Sequence, residues 1–461
     1  MGRWDQGKTG GIFMSGNKKE KFYSDRDLLL LVGPLIVELA LKLIVGLVDS
    51  VMVASVGEAA VSGVSLIDSL VQLLIYIFAA LASGGAVAAG QFLGAGDRNQ
   101  AKKAAGELFW LNGVLAVGVM ILIMVAGRWI LGHVFGEIKQ DVEFHAWRYF
   151  VVIMVSIPAI GLYEAGTAIF RTMNDSRTTM KISLCMNLLN AIGNAVLIYG
   201  FEMGTAGAAI STVISRWFAV MVLLGLLLKP ERELGLEKSL KHRFDWQLSK
   251  RILALGIPNG VENGMFQLGK IAILGLVAVF GTSAITANAV TQTFASMETI
   301  PGNAVQLAMI PVISRCVGAE DYEQAKFYNK RLLAVSYVTI WVWSALMVIG
   351  LPVLLGFYHL SAGTESMTRQ MFLLHVAGAS LLWPLAFDLP AALRASGDVK
   401  FPMVASVVSM WVFRFGGAYV LAKVIGIGAV GVWIAMAFLD WGGRSAAYVW
   451  RWRSRKWMKI S

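Results

Sequence analysis

The chain has 461 residues, of which 57% are hydrophobic and 15% charged, with a mean hydropathy of +0.66 and a formal net charge of +11. Soluble domains carry about 25% charged residues, so a water-soluble domain is excluded. Lipid cannot satisfy the edges of an open sheet, so the recurrent apolar runs are helices and the chain is a polytopic, all-α membrane protein.

In chain order, residues 1–27 are polar and are expected to form a cytoplasmic tail without a cleavable signal. Met14 precedes "SGNKKEKF", and residues 1–13 are expected to be a mis-assigned start or not native. "GRWDQGKT", Gly2 to Thr9, matches the phosphate-loop pattern, but nothing upstream can form the strand such a loop requires. The match is read as accidental, and no ATP-driven step is expected of this chain.

About twelve spans follow: 28–56, 61–92, 107–131, 146–170, 180–201, 205–228, 250–280, 284–316, 332–357, 370–393, 401–424 and 428–450. Each is long enough to cross about 30 Å of hydrocarbon. The polar stretch 229–249 is expected to be a cytoplasmic linker between an N-lobe, 28–228, and a C-lobe, 250–450, with 451–461 a basic tail. Basic residues gather in alternate loops: Lys21 and Arg26, then Arg98 to Lys103, Arg171 and Arg177, Lys229 to Arg251, Arg315 to Arg331, Arg394 and Lys400, and Arg451 to Lys459. That alternation is the positive-inside pattern; it predicts both termini in the cytoplasm and argues against nucleic acid as a partner.

The two halves repeat. Pro34 and Glu38 recur as Pro258 and Glu262 at an offset of 224, and the same offset joins Gly57 to Gly281, Gly94 to Gly318, Asp97 to Asp321 and Gly204 to Gly428. Arg171 and Asp175 recur as Arg394 and Asp398 at an offset of 223. Six spans per unit is an even number, so both units enter the membrane from one side. This predicts two parallel six-helix repeats with a site between them.

Ionisable residues stand inside the expected spans: Glu38, Lys42, Asp49, Asp68, Glu164, Glu262, Lys270, Glu298 and Asp388. Each costs about 2.5–3.5 kcal/mol at a bilayer centre on the mildest scale, so they are expected to face the bundle interior or a wet cavity. Glu38, Lys42 and Asp49 share one helical stripe. Glu38 matches Glu262, and Glu164 matches Asp388 at an offset of 224. These acids either line a central cavity or brace Lys42, Lys270 and helix ends. The repeat partner of Asp49 is Ile273, so the shared scaffold does not explain Asp49. A buried acid can load and release a proton or sodium, as coupling to an ion gradient requires. Met52, Met154, Met173, Met265 and Met297, with Phe266 and Tyr163, either furnish an adaptable pocket or pack the core.

At "PLIVELALKLIVGLVDSVMVASVG" from Pro34 to Gly57, "GQFLGAGDRNQAKKA" from Gly90, "FRTMNDSRTTM" from Phe170 and "GIPNGVENGMFQLGK" from Gly256, the sequence resembles the multidrug and toxic compound extrusion (MATE) transporters, bacterial branch. The resemblance covers about Leu28 to Tyr448. It implies a two-lobed, twelve-helix antiporter in the bacterial plasma membrane that exports amphipathic, often cationic, compounds in exchange for H⁺ or Na⁺. It also maps ion coupling onto Asp49, Asn190, Asn194 and Thr212. Well-studied members carry a second aspartate where this chain has Asn194, which leaves Asp49 as the expected sole carboxylate of the group. Another branch has a glutamate where this chain has Phe266, so a C-lobe cation site does not carry over.

The expected substrate cavity comprises Glu38, Lys42, Glu164, Glu262, Met265, Phe266, Lys270, Glu298 and Asp388. With acids predominating, small organic cations or zwitterions are the expected cargo of a monomeric protein in the lipid bilayer. No cofactor or resident metal is expected, apart from Na⁺ at Asp49 if sodium is the coupling ion. A flippase for lipid-linked precursors is the nearest alternative and would want several arginines or lysines for pyrophosphate. An intramembrane enzyme would need a reactive constellation, and none is legible.

Overall fold

The computed structural model describes residues 21–133, 139–236 and 244–459. The phosphate-loop match and Met14 lie outside the described residues, as does part of the expected linker. Among the described residues there is no strand, and ten helices are long and apolar enough to cross a membrane.

Twelve spans run in order: α1 Asp25–Ala54, α2 Glu58–Gly94, α3 Arg98–His133, α4 Gln140–Thr172, α5 Ser176–Gly200 and α6 Gly204–Leu227 make the first half. The second half has α7 Trp246–Ala278, α8 in two segments (Thr282–Glu298 and Ile300–Gly318), α9 Tyr322–Gly356, α10 Ala362–Ala395, α11 Lys400–Val424 and α12 over 429–453. The fold is an all-α membrane architecture of two six-helix repeats. Valine, isoleucine and leucine cover its outer surface, among them Leu122, Val125, Ile349 and Val353, as a lipid-facing wall requires.

Polar residues at chain entry start the helices. Ser24 and Asp27 form a reciprocal capping box on α1, and Asp245 accepts from the Gln247 and Leu248 amides at 3.0 and 3.2 Å to start α7. The repeat partners Gly57 and Gly281 turn the chain between the first two helices of each half at φ +134° and +90°, where a side chain would be strained.

The sequence predicts the eighth span as one helix, but it breaks at Thr299. Pro301 has no amide hydrogen and crowds the carbonyl of Met297, four residues earlier. Lipid offers that oxygen nothing, and Trp343 Nε1 on α9 donates to it at 2.9 Å. The device recurs in α10, where the helix widens into a π turn at Pro384. There Trp341 Nε1 donates to the Ser380 carbonyl at 2.8 Å, and the Tyr337 hydroxyl donates to that of Leu381 at 3.1 Å.

The two halves meet through α2, which packs on α7 and α8, and through α1, which packs on α8. Their backbones approach closely where side chains vanish. A Cβ on Gly84 would lie 2.6 Å from the Gly256 nitrogen, and one on Gly94 would collide with the Arg315 carbonyl. Gly90 faces Ser314 and Gly318 faces Gln91, so Gly-x-x-x-Gly on α2 crosses Ser-x-x-x-Gly on α8, its own repeat image. Hydrogen bonds and ion pairs joining the halves gather at this end. Arg331 grips Asp25 at 2.6 and 3.1 Å, the Tyr328 hydroxyl bridges the Tyr23 amide and carbonyl, and Arg251 donates to Gln91 at 2.8 Å. Ser249 donates to Glu107 across the symmetry-related contact.

Trp343→Phe leaves the Met297 carbonyl buried and unpaired, at a cost of about 1–3 kcal/mol. A lowered thermal midpoint in detergent is the expected result, and an unchanged midpoint would mean another donor replaces the indole. Gly94→Leu is expected to prise the crossing open, so that a cysteine placed nearby becomes more reactive to a membrane-impermeant thiol reagent. Unaltered reactivity would show that α2 and α8 can separate without consequence.

Candidate functional site

Asp49 lies on the last turns of α1, where the helix faces α5 and α6. Asn194 Nδ2 on α5 donates to Asp49 Oδ1 at 2.8 Å. One turn earlier, the Asn190 amide has one end 3.0 and 2.9 Å from the two Asp49 oxygens and the other 3.1 Å from Thr212 Oγ1 on α6. A carboxylate only accepts, so the nitrogen belongs at the Asp49 end, with the Asn190 carbonyl accepting from Thr212. The four residues that the family resemblance marked for ion coupling are thus within one hydrogen-bonded group.

A cavity of about 130 Å³ opens beside them, lined by Asp49, Ser50, Ser65, Asp68, Tyr149 and Thr212 among others. It is polar enough to hold several waters. Asp49 is the one carboxylate of that four-residue group, but Asp68 enters the same cavity from α2 and accepts from the Tyr149 hydroxyl at 2.9 Å. Arg216 on α6 is close enough to interact electrostatically with both acids and donates to Ser156 Oγ at 2.7 Å. The N-lobe site therefore holds two carboxylates and one guanidinium.

Most of the symmetric acids are braces and do not line open space. Glu38 is 1% exposed, pairs with Lys42 at 3.1 Å and accepts from Thr179 at 3.0 Å. Lys42 itself is partly exposed and sits over the Tyr163 ring, 5.8 Å from its centroid. Glu262 forms an ion pair with Arg394 at 3.1 Å, so Arg394 is a bundle residue and not simply a loop cation. Glu298 is sealed in the C-lobe, where it accepts from Ser344 at 2.6 Å and contacts His375. Asp388 is equally sealed and accepts from Ser336 at 2.5 Å. Glu38, Glu298 and Asp388 are therefore removed from the expected cavity: interhelical hydrogen bonds hold the first two, while Asp388 is bonded through one oxygen only and its buried Oδ1 has no partner among the described residues. Glu164 is only partly buried, as are Met265, Phe266 and Lys270. Met154 is fully buried in the N-lobe core, and the Met173 sulfur accepts from the Leu234 amide at 3.3 Å; both are packing residues.

The C-lobe holds a cluster that the sequence reading passed over. Arg414 on α11 and Arg444 on α12 flank Asp440, with Arg444 Nε 2.8 Å and Arg414 Nη1 3.7 Å from its oxygens. Ser409 Oγ also donates to Asp440, at 2.6 Å. A signal was present: Asp440 is the repeat counterpart of Arg216 at the same offset of 224, so the repeat sets opposite charges at one position of the two lobes.

The comparisons bear on a chain with this architecture. The MatE family model matches it twice, over residues 34–196 and 258–420, and the two starts coincide with the repeat-related prolines. The uncharacterized transporter YisQ of Bacillus subtilis is 26% identical over 458 residues, covering 97% of this chain and 98% of that protein. The probable multidrug resistance protein NorM of Thermotoga maritima is 25% identical over 425 residues, covering 89% and 88%. A solved structure of a multidrug resistance MATE family transporter in its outward-facing conformation superposes with a TM-score of 0.87 at 18% identity, covering 94% and 96%. The two family matches together span most of the folded chain, and the protein belongs to the MatE family of multi-pass membrane transporters.

Proposed function

We propose that this protein is a secondary active exporter of amphipathic organic compounds, driven by H⁺ or Na⁺ exchange at the N-lobe cavity. The observation that carries the reading is Asp49, a carboxylate present in one lobe only, held by two asparagine amides beside a polar cavity. Relatives named as multidrug resistance proteins support efflux as the activity.

The amides of Asn190 and Asn194 bond best to an ionised carboxylate. With Asp49 charged, they hold the end of α1 against α5. Protonation, or a sodium ion drawing on the same oxygens, weakens that hold and frees α1 to repack. Asp68 and Tyr149 set the charge the entering ion meets. An ion drives transport only through unequal affinity for the two arrangements, and a coupling energy of about 1–3 kcal/mol is typical.

The positive-inside pattern assigns the Gly94–Gly318 crossing to the cytoplasmic end, together with both termini. In this arrangement the halves are joined at the cytoplasm and the Asp49 cavity lies toward the opposite face, so the protein stands outward-facing. The return half-cycle requires the Asp25–Arg331 and Ser249–Glu107 contacts to part while the outer ends close.

Asp49→Asn is expected to lower ethidium efflux from proteoliposomes at least about tenfold under whichever of two separately imposed gradients, pH or sodium, drives the wild type. Elution as a folded monomer in detergent should be unaltered. Full gradient-driven efflux by this variant would remove Asp49 from the coupling step. If neither gradient drives the wild type, secondary transport itself is the wrong reading.

A further inference from the structure

We infer that the C-lobe carries a binding site for the anionic group of an amphipathic aromatic ligand, a carboxylate or sulfonate, formed by Lys270, Arg414 and Arg444 around the Phe266 ring. The inference rests on the transport reading and adds a substrate class to it.

Three cations converge on one ring: Lys270 Nζ at 5.2 Å, the Arg414 guanidinium at 5.2 Å and that of Arg444 at 5.0 Å from the Phe266 centroid. One aspartate, Asp440, answers them. Glu262 lies nearby, but Arg394 takes its charge. Across the cluster four cations face two carboxylates, an excess of positive charge inside the membrane, where uncompensated charge is costly. Lys270 makes no ion pair among the described residues, and it and Phe266 are partly exposed, whereas the two arginines against the same ring are buried.

Hydrogen-bond donors are in surplus as well. Arg414 is 6% exposed, its Nη2 lies 2.8 Å from the Met436 sulfur, and its buried Nε has no acceptor. Asp440 Oδ2, 3.7 Å from Arg414 Nη1, is the one acceptor of this cluster left without a hydrogen bond among the described residues, against three such donors here, counting the two indoles below. Buried donors without acceptors are rare in folded proteins. The indole nitrogens of Trp383 and Trp441 are also sealed without acceptors, and their rings adjoin Phe387, which lies under Arg444 at 5.6 Å. A carboxylate would accept from the guanidinium and ammonium groups, while an aromatic body would stack on this wall.

The two lobes thus have opposite polarity. Lys270 is eight residues from the end of α7, about 12 Å, and Asp49 five from the equivalent end of α1, about 8 Å, so the sites lie at similar depth in opposite halves. Acids outnumber bases at Asp49, Asp68 and Arg216; bases outnumber acids here.

The test is equilibrium binding to the full-length protein in phosphatidylcholine nanodiscs, without any gradient, using carboxyfluorescein as the anionic probe and ethidium as the cationic one. Wild type is expected to bind carboxyfluorescein above empty discs. Lys270→Gln should weaken that binding about tenfold or more while strengthening ethidium binding, and Lys270→Arg should restore the wild-type order. Damage to the fold would lower both affinities together. Parallel losses, no change, or no wild-type binding overturns the site. So does loss of wild-type carboxyfluorescein binding in discs containing phosphatidylglycerol, which would assign the cluster to a lipid headgroup. Because no gradient enters, failure of ion-driven efflux leaves this result readable.

Discussion

Within hydrocarbon there is no water to answer a carboxylate, a guanidinium or a carbonyl freed by proline, so each must find its partner on a neighbouring helix. That single constraint organises this transporter. It explains why Trp343 reaches the Met297 carbonyl, why Thr179 and Lys42 surround Glu38, and why Ser336 serves Asp388. It also separates scaffold from site. Groups whose partners seal them completely fix the positions of helices, whereas those left beside a cavity or short of partners remain available for chemistry.

By that criterion the two lobes, built on one repeat, differ in the chemistry they present. The N-lobe keeps an acid against two amides and a polar space, and the C-lobe gathers guanidinium groups about an aromatic ring. The scaffold residues changed less. Gly94 and Gly318 of the α2–α8 crossing, the turn glycines at 57 and 281, and the Glu38–Glu262 positions are shared by both halves.

Much of this was legible in the sequence. The constant offset between matching positions exposed the duplication, and run length located the spans, although α3, α9 and α10 begin about eight to ten residues before the apolar runs that marked them. The family resemblance marked Asp49, Asn190, Asn194 and Thr212, and the fold sets these four in one hydrogen-bonded group. What escaped it was partnership. Helical periodicity places Glu38 and Asp49 on one face, but not which is sealed and which is wet. Asp68 stands on a different helix from Asp49, and only the packing of α2 against α4 brings it beside Tyr149. Arg414 and Arg444 were lost among apolar neighbours, since a run rich in valine, phenylalanine and tryptophan hides a solitary charge from any averaged measure. The break at Thr299 needed Pro301 to be weighed against the length of an otherwise continuous run.

The contacts that join the halves carry one more implication. Asp25 and Ser249 are equivalent positions, as are Glu107 and Arg331, because 249 − 25 and 331 − 107 both equal 224. Yet Asp25 meets Arg331 while Ser249 meets Glu107. Two copies of the first half alone would set Asp25 against Glu107 at both seams, acid opposing acid, and like charges so juxtaposed disfavour association. The first half therefore cannot pair with a copy of itself at these seams without opposing acid to acid, and the second half supplies the arginine and the serine that those acids meet.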